Sequence, residues 1–154
     1  MTKNTLSAEQ ITKAAEPVHP LSTGTTPLRI LVVDDNIMSA KVTVWTLESI
    51  GHKPTMVHNG LDALYTARKL QPDVIILDKS LPDMDGYNVC RELRKDPLFK
   101  NTILIALTGW ERVQDRQQAQ EAGFNHHLGK SGSFEELSQL LSNIKITPLE
   151  ARLT

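Results

Sequence analysis

One cysteine, Cys90, stands in 154 residues. An internal disulfide is therefore excluded, and a buried thiol in a reducing compartment is the favoured reading. Aromatic residues make up 5% of the chain against 40% hydrophobic residues overall, so the core is expected to be aliphatic. An excess of charge is also missing: 17 Lys and Arg face 18 Asp and Glu, a net charge of -1. That leaves no bulk electrostatic attraction to nucleic acid or to an anionic membrane. No apolar run approaches the roughly 20 residues that span a bilayer. The opening stretch, MTKNTLSAEQ, lacks the apolar centre of a secretory signal. There are no internal repeats, no helix-turn-helix pattern and no His/Cys cluster at zinc spacing. A cytoplasmic protein is expected, long enough for one domain with its own core and some chain left over.

What is present divides at about residue 28. Residues 17–27, PVHPLSTGTTP, hold three prolines and read as a linker. Before it, Ser7 and Gln10 fit the capping box of a short helix that stops at Pro17. Residues 1–27 are read as a mobile extension, with a docking segment as the alternative. From Leu28 the pattern alternates. LRILVVDD is a buried strand ending in two acids. Ile37, Ala40, Val44 and Leu47 then mark one face of a helix that ends at Gly51. KPTMV is a weak strand whose Pro54 suits a sheet edge. Asn59 is placed to cap a helix carrying Ala63, Leu64, Ala67 and Leu70. DVIILD, TILIALTG and FNHHLGK supply three more strands. Helices follow them with Val89, Cys90 and Leu93, over about 111–122, and with Leu137, Leu140, Leu141 and Ile144 behind a Ser133–Glu136 capping box. Five strands alternating with five helices predict an α/β fold, a doubly wound five-stranded parallel sheet over residues 28–146, with 147–154 a tail.

In such sheets function gathers at the carboxyl ends of the strands. The first strand ends in Asp34 and Asp35, the third in Asp78, the fourth in Thr108 and the fifth in Lys130. Three carboxylates on one rim repel, so a proton or a cation is required among them. All-oxygen ligands suit a hard ion, and Mg2+ is favoured because it takes few protein carboxylates and keeps its waters. Part of the pattern has a plainer explanation, since either Asp34 or Asp35 would serve as a helix cap. That does not explain a third acid and a lysine on the same rim. An Mg2+ site beside a carboxylate, with a lysine and a hydroxyl nearby, is a set of parts for phosphoryl transfer, the carboxylate acting as nucleophile. His126 and His127 are adjacent, so on a strand they point to opposite faces and do not share a metal.

The stretches ILVVDDN, DVIILDKSLPDMDG, LIALTG and AGFNHHLGKS resemble the receiver domain of bacterial two-component response regulators. Thr108 lies thirty residues after Asp78 and Lys130 fifty-two after it, as in that family. The resemblance implies the flavodoxin-like receiver fold and a set of roles. Asp78 would be the phosphoacceptor. Asp34, Asp35, Asp78 and the backbone carbonyl of Ser80 would hold Mg2+, Asp35 directly and Asp34 mostly through water. Lys130 would pair with the phosphoryl group, the Thr108 hydroxyl would move towards it, and Pro82 and Gly86 match the loop after the acceptor. The partners implied are a histidine kinase or histidine phosphotransfer protein upstream and a protein downstream. The fourth helix, fifth strand and fifth helix would form the switching surface and a candidate homodimer contact. The domain would catalyse its own phosphorylation and dephosphorylation without being a turnover enzyme.

Two positions depart from that pattern. His127 replaces the usual Tyr or Phe switch residue, and an imidazole titrates near neutral pH. Output that varies with pH is one expectation and a silent, half-exposed histidine the other. Ser131 follows Lys130 where the family has proline with a cis bond, so a cis peptide there is less secure. Ser80 and Trp110 occupy the two positions that tune acyl-phosphate lifetime in the family. Ten residues after Ile144 cannot hold an output domain, so output by protein contact or by a phosphate relay is expected. The stretch from Ala106 to Ser131 is as similar to receivers of hybrid kinases as to stand-alone regulators, and Met1 favours the short native chain. Two competing functions remain: an Mg2+-dependent small-molecule phosphatase or phosphotransferase using Asp78, and a receiver-like module that binds partners without phosphate. Against the first, Ser80 stands where a general acid would be.

Overall fold

The computed structural model describes residues 26–109, 113–130 and 134–144. Their elements run β1 (Arg29–Val33), α1 (Ile37–Ser49), β2 (Lys53–Val57), α2 (Gly60–Leu70), β3 (Val74–Asp78), α3 (Gly86–Lys95), a short 3-10 turn (Pro97–Phe99), β4 (Ile103–Thr108), α4 (Val113–Ala122), β5 (His126–Gly129) and α5 (Phe134–Ser142). The strands form one parallel sheet in the order β2-β1-β3-β4-β5.

The central strands are buried on both faces, as their unbroken apolar runs require. Every residue of β3 is buried. Leu31, Val33, Ile75, Leu77, Leu104 and Ala106 face a layer made by α2, α3 and α4, where Ala63, Ala67, Val89, Cys90, Leu93, Ala119 and Ala122 meet them. Ile30, Val32, Val74, Ile76 and Ile105 face α1 and α5 through Ala40, Leu47 and Leu141. The core is aliphatic, with Phe99 the bulkiest of its fully buried side chains. β2 pairs with β1 alone, so Pro54 removes no ladder bond from a second neighbour.

This strand order puts a reversal between β1 and β3. The chain leaves β1 towards β2 on one side and returns past it to β3 on the other. Right-handed crossovers then place α1 on one face and α2 on the opposite one. A crevice opens at the carboxyl ends of β1 and β3, where the two connections diverge.

Two local expectations are corrected. The cap of α1 is Asn36, whose side chain accepts from the Ser39 N–H at 2.9 Å, and neither Asp34 nor Asp35 serves. Asp34 is turned back instead, its Oδ1 accepting from the Asn36 N–H at 3.0 Å. Ile37 is 53% exposed rather than part of the core face. It stands in the first turn of α1, beyond the strand end, while Ala40 and Leu47 carry the packing. Asn59 caps α2 as expected, accepting from Asp62 N–H. The helix at Ser7–Glu16, the start of the fourth helix, the Ser133 cap, Trp110 and the Lys130–Ser131 peptide lie outside the described residues.

Candidate functional site

The buried runs of β1 and β3 deliver carboxylates into the crevice because each run ends in an acid at the point where the sheet stops covering it. Asp34 is fully buried and Asp78 is 4% exposed, while Asp35, one residue on, is exposed. Carboxylate oxygens of all three lie within 4.8 Å of one another. Lys130, just past β5, reaches back over the sheet end. Its Nζ donates to Asp78 Oδ2 at 2.8 Å and to Asp34 Oδ1 at 3.4 Å. The Ser80 N–H donates to Asp78 Oδ1 at 3.1 Å. Asp34 Oδ2 is buried with no hydrogen-bond partner among the described residues.

The electrostatics follow from that burial. Burial pushes the Asp78 carboxyl above its ordinary value, and the Lys130 ammonium and Ser80 N–H pull it down without cancelling the rise. For Lys130, burial opposes the charged form, but the hydrogen bond to Asp78 and the charges of Asp78 and Asp34 outweigh it and raise its pKa. A single ammonium thus serves two buried carboxylates with a third beside them. An orphaned carboxylate oxygen in such a cluster suits a divalent hard cation. Asp34, Asp35 and Asp78 are a donor set that could hold a metal ion.

The loop after Asp78 is held tightly. The Gly86 N–H donates to the Lys79 carbonyl at 2.8 Å. A Cβ on Gly86 would run into the Asp78 carbonyl and stand 2.9 Å from Lys79 Cα, so glycine is required by close approach. Asp85 caps α3, accepting from the Tyr87 N–H at 2.6 Å. Asp83 accepts from the Gly60 and Leu61 N–H groups at 2.7 and 2.9 Å, tying this loop to the amino end of α2. Those two bonds hold the Asp83 carboxyl below its usual value.

Thr108 is 2% exposed at the end of β4, and its Oγ1 lies 3.1 Å from His127 Nε2. His126 is exposed and His127 is half-buried, on opposite faces of β5. The rim of five groups is therefore observed: Lys130 joins Asp34 and Asp78, Asp35 lies beside them, and Thr108 engages the neighbouring histidine. Sequence reasoning missed the bond between Asp83 and α2. It also missed an ion pair between Lys79 Nζ and Asp115 Oδ1, 2.9 Å, that links the residue after Asp78 to the first turn of α4. Asp115 is the first cause of a raised Lys79 pKa. Those partners are 23 and 36 residues away, and no local signal marks them.

Comparison with known proteins shows the family. The response regulator receiver domain matches residues 30–142. A DNA-binding dual master transcriptional regulator, RpaA of Synechocystis, is 33% identical over 71% of this chain and 45% of its own length. The chain spans about half the length of several curated relatives it matches. A putative response regulator from Chloroflexus aurantiacus superposes with a TM-score of 0.73 at 31% identity, covering 77% of this chain and 97% of that one. The receiver domain of the sensor histidine kinase PA1611 from Pseudomonas aeruginosa superposes at 0.70 with 34% identity, covering 75% and 95%, and carries a magnesium ion in its active site cleft. With the fold, the strand-end acids and a matched segment of this length in agreement, the chain belongs to the response regulator receiver domain family of two-component systems.

Proposed function

We propose that this protein is a phosphorylation switch in which Asp78 accepts a phosphoryl group from a phosphohistidine on a histidine kinase or phosphotransfer protein. The observation that carries the reading is the Lys130 ammonium held 2.8 Å from Asp78 and 3.4 Å from Asp34, beside a buried Asp34 oxygen with no hydrogen-bond partner among the described residues. Asp34, Asp35, Asp78 and the Ser80 carbonyl would hold Mg2+, which when bound neutralises the acids and the charge on the phosphoryl oxygens.

The chain's own residues do the rest. A carboxylate oxygen of Asp78 attacks phosphorus as the bond from phosphorus to the donor nitrogen breaks, and the imidazole leaves. Lys130 then turns from Asp78's carboxylate to a phosphoryl oxygen. The Thr108 hydroxyl, now 3.1 Å from His127 Nε2, would turn towards the phosphoryl group. Its movement would alter the contact with His127 and shift the population of the surface formed by α4, β5 and α5 towards the form that binds a downstream protein. Ser80 stands two residues after Asp78 where a general acid would be, which favours a switch over a turnover enzyme.

Intact mass after incubation with Mg2+ and a small acyl-phosphate donor tests this. One added phosphoryl group is expected on the wild type, none on Asp78→Asn, and none when the metal is chelated. Absence of an adduct, together with no fluorescence response to beryllofluoride, would leave a module that binds partners without phosphate.

A further inference from the structure

α4 buries a charge where its neighbour buries apolar side chains. From Gln114 to Ala122 its buried residues are Asp115, Ala119 and Ala122, at i, i+4 and i+7, and the six others are exposed. This part of the inward face therefore offers two methyl groups and a carboxylate. α3 beside it is anchored by Tyr87, Val89, Cys90 and Leu93. Two alanines take little apolar area out of water, so they hold α4 only weakly. An aspartate on such a face is costly unless something meets it.

Lys79 meets it. Its Nζ lies 2.9 Å from Asp115 Oδ1, with the lysine side chain 32% exposed and the aspartate side chain 11%. The same ammonium stands 5.8 Å over the ring of Tyr87, inside cation–π range. The Tyr87 hydroxyl donates to the Asp115 carbonyl at 3.4 Å, and its ring packs edge-on against Phe124 with centroids 6.3 Å apart. The first turn of α4 is thus held through both the side chain and the backbone of Asp115. Lys79 is also the residue after Asp78. Successive residues of a strand point to opposite faces, so Asp78 turns to the crevice and Lys79 to α4. The Lys79 N–H donates to the Leu107 carbonyl at 3.1 Å, and its carbonyl accepts from the Gly86 N–H at 2.8 Å. A change in the backbone at Asp78 therefore reaches α4 through a single residue. α4 itself starts five residues after Thr108.

We infer that the Lys79–Asp115 ion pair is a latch that positions α4 against the loop after Asp78 and biases the domain towards its unphosphorylated form. An ion pair suits this task better than an apolar anchor. Its strength depends on a distance and a direction set by two elements, and a phosphoryl group on Asp78 would disturb one of them. A partly exposed pair is also weak enough to be released. The bias rests on Asp78 being the acceptor, whereas the positioning of α4 does not. Lys79 and Asp115 are positioning residues: they act on α4 and not on phosphorus.

Amide hydrogen exchange of the full chain, with no phosphoryl donor present, reads the latch. In Lys79→Met and in Asp115→Asn the amides of residues 118–122 should exchange about tenfold faster, while those of α3 keep their wild-type rates. The double variant should be no faster than either single one, because both remove the same contact. Lys79→Arg keeps the charge and should exchange as the wild type does. Titration with Mg2+ and beryllofluoride reads the bias. Both single variants should bind it several-fold more tightly than the wild type, by no more than the factor lost from the latch. Unchanged exchange in α4 overturns the latch. Acceleration spread equally over α3 and the sheet overturns it too, since that marks a general loss of stability. Faster exchange in α4 with unchanged or weaker beryllofluoride binding overturns the bias. A wild type that binds no beryllofluoride counts against Asp78 as acceptor instead, and the exchange rates still decide the latch.

Discussion

Replacing Lys130 by methionine removes the ammonium that the described part of the site places between Asp34 and Asp78, and the cost can be worked from the geometry. At 2.8 Å, with an effective dielectric constant of about 20, the attraction to Asp78 is roughly 6 kcal/mol. Desolvation of the ammonium and proton uptake by Asp78 offset much of it, and losing one partner of a buried pair costs about 3–5 kcal/mol in general. The Lys130 side chain keeps 30% of its exposure, so screening lowers the expected loss to about 2–3 kcal/mol at pH 7 without metal. With a urea slope of about 2 kcal/mol/M, the midpoint should fall by about 1–1.5 M. The pH dependence has a definite sign. The folded pKa of Asp78 is already raised by burial, and removing the lysine raises it further. A raised folded pKa means stability is present below the ordinary carboxylate pKa and is lost as pH rises through the folded one. The variant's deficit should therefore shrink as pH falls from 7 towards 4. Mg2+ should restore the variant more than it stabilises the wild type, because no ammonium competes with the ion for the acids. A midpoint unchanged at pH 7, or a deficit as large at pH 4.5 as at 7, would refute the electrostatic account and leave side-chain packing as the cause.

Three further outcomes follow from the same contacts. Gly86→Ala forces a Cβ onto the Asp78 carbonyl and Lys79 Cα, so unfolding should show a loss of about 1–3 kcal/mol and acyl-phosphate labelling should slow; an unchanged urea midpoint would count against the tight loop. Cys90 is fully buried, with burial pushing its thiol up to about 11 and its Sγ 3.4 Å from the Ala122 carbonyl. A thiol reagent at pH 8 should label it only as fast as the protein opens, with rapid labelling in native buffer the contrary result. His127→Phe removes the imidazole that meets the Thr108 hydroxyl at 3.1 Å. The size of the beryllofluoride response should therefore differ between the wild type and the variant; an equal response would make His127 silent.

Some features of this protein were legible in the chain because they rest on local rules. A strand buried on both faces reads as an unbroken apolar run, and Val74–Leu77 is one. A polar residue ending such a run marks the strand's carboxyl end, so Asp34, Asp78 and Thr108 fall on one rim from the chain alone. Helix periodicity served for α2 and α3, where Ala63, Ala67, Val89, Cys90 and Leu93 are all buried. It failed for Ile37, since periodicity says which side a residue faces and not whether anything extends far enough to cover it. The choice of Asn36 over its two acidic neighbours as the cap of α1 was also hidden, because Asp34 is engaged by the crevice.

The sequence by itself determined the order of strands and helices and the residue types at each strand end, since both follow from runs and periods a few residues long. Only the tertiary structure decided which atoms meet. Parallel pairing across the reversal between β1 and β3 brings Lys130 to two carboxylates that stand 96 and 52 residues before it. The same packing leaves one Asp34 oxygen without a hydrogen-bond partner among the described residues, sets Asp83 on the amino end of α2, and joins Lys79 to Asp115. Contacts of that separation depend on how far crossovers carry the chain around the sheet, and no pattern within a short stretch of residues encodes that distance.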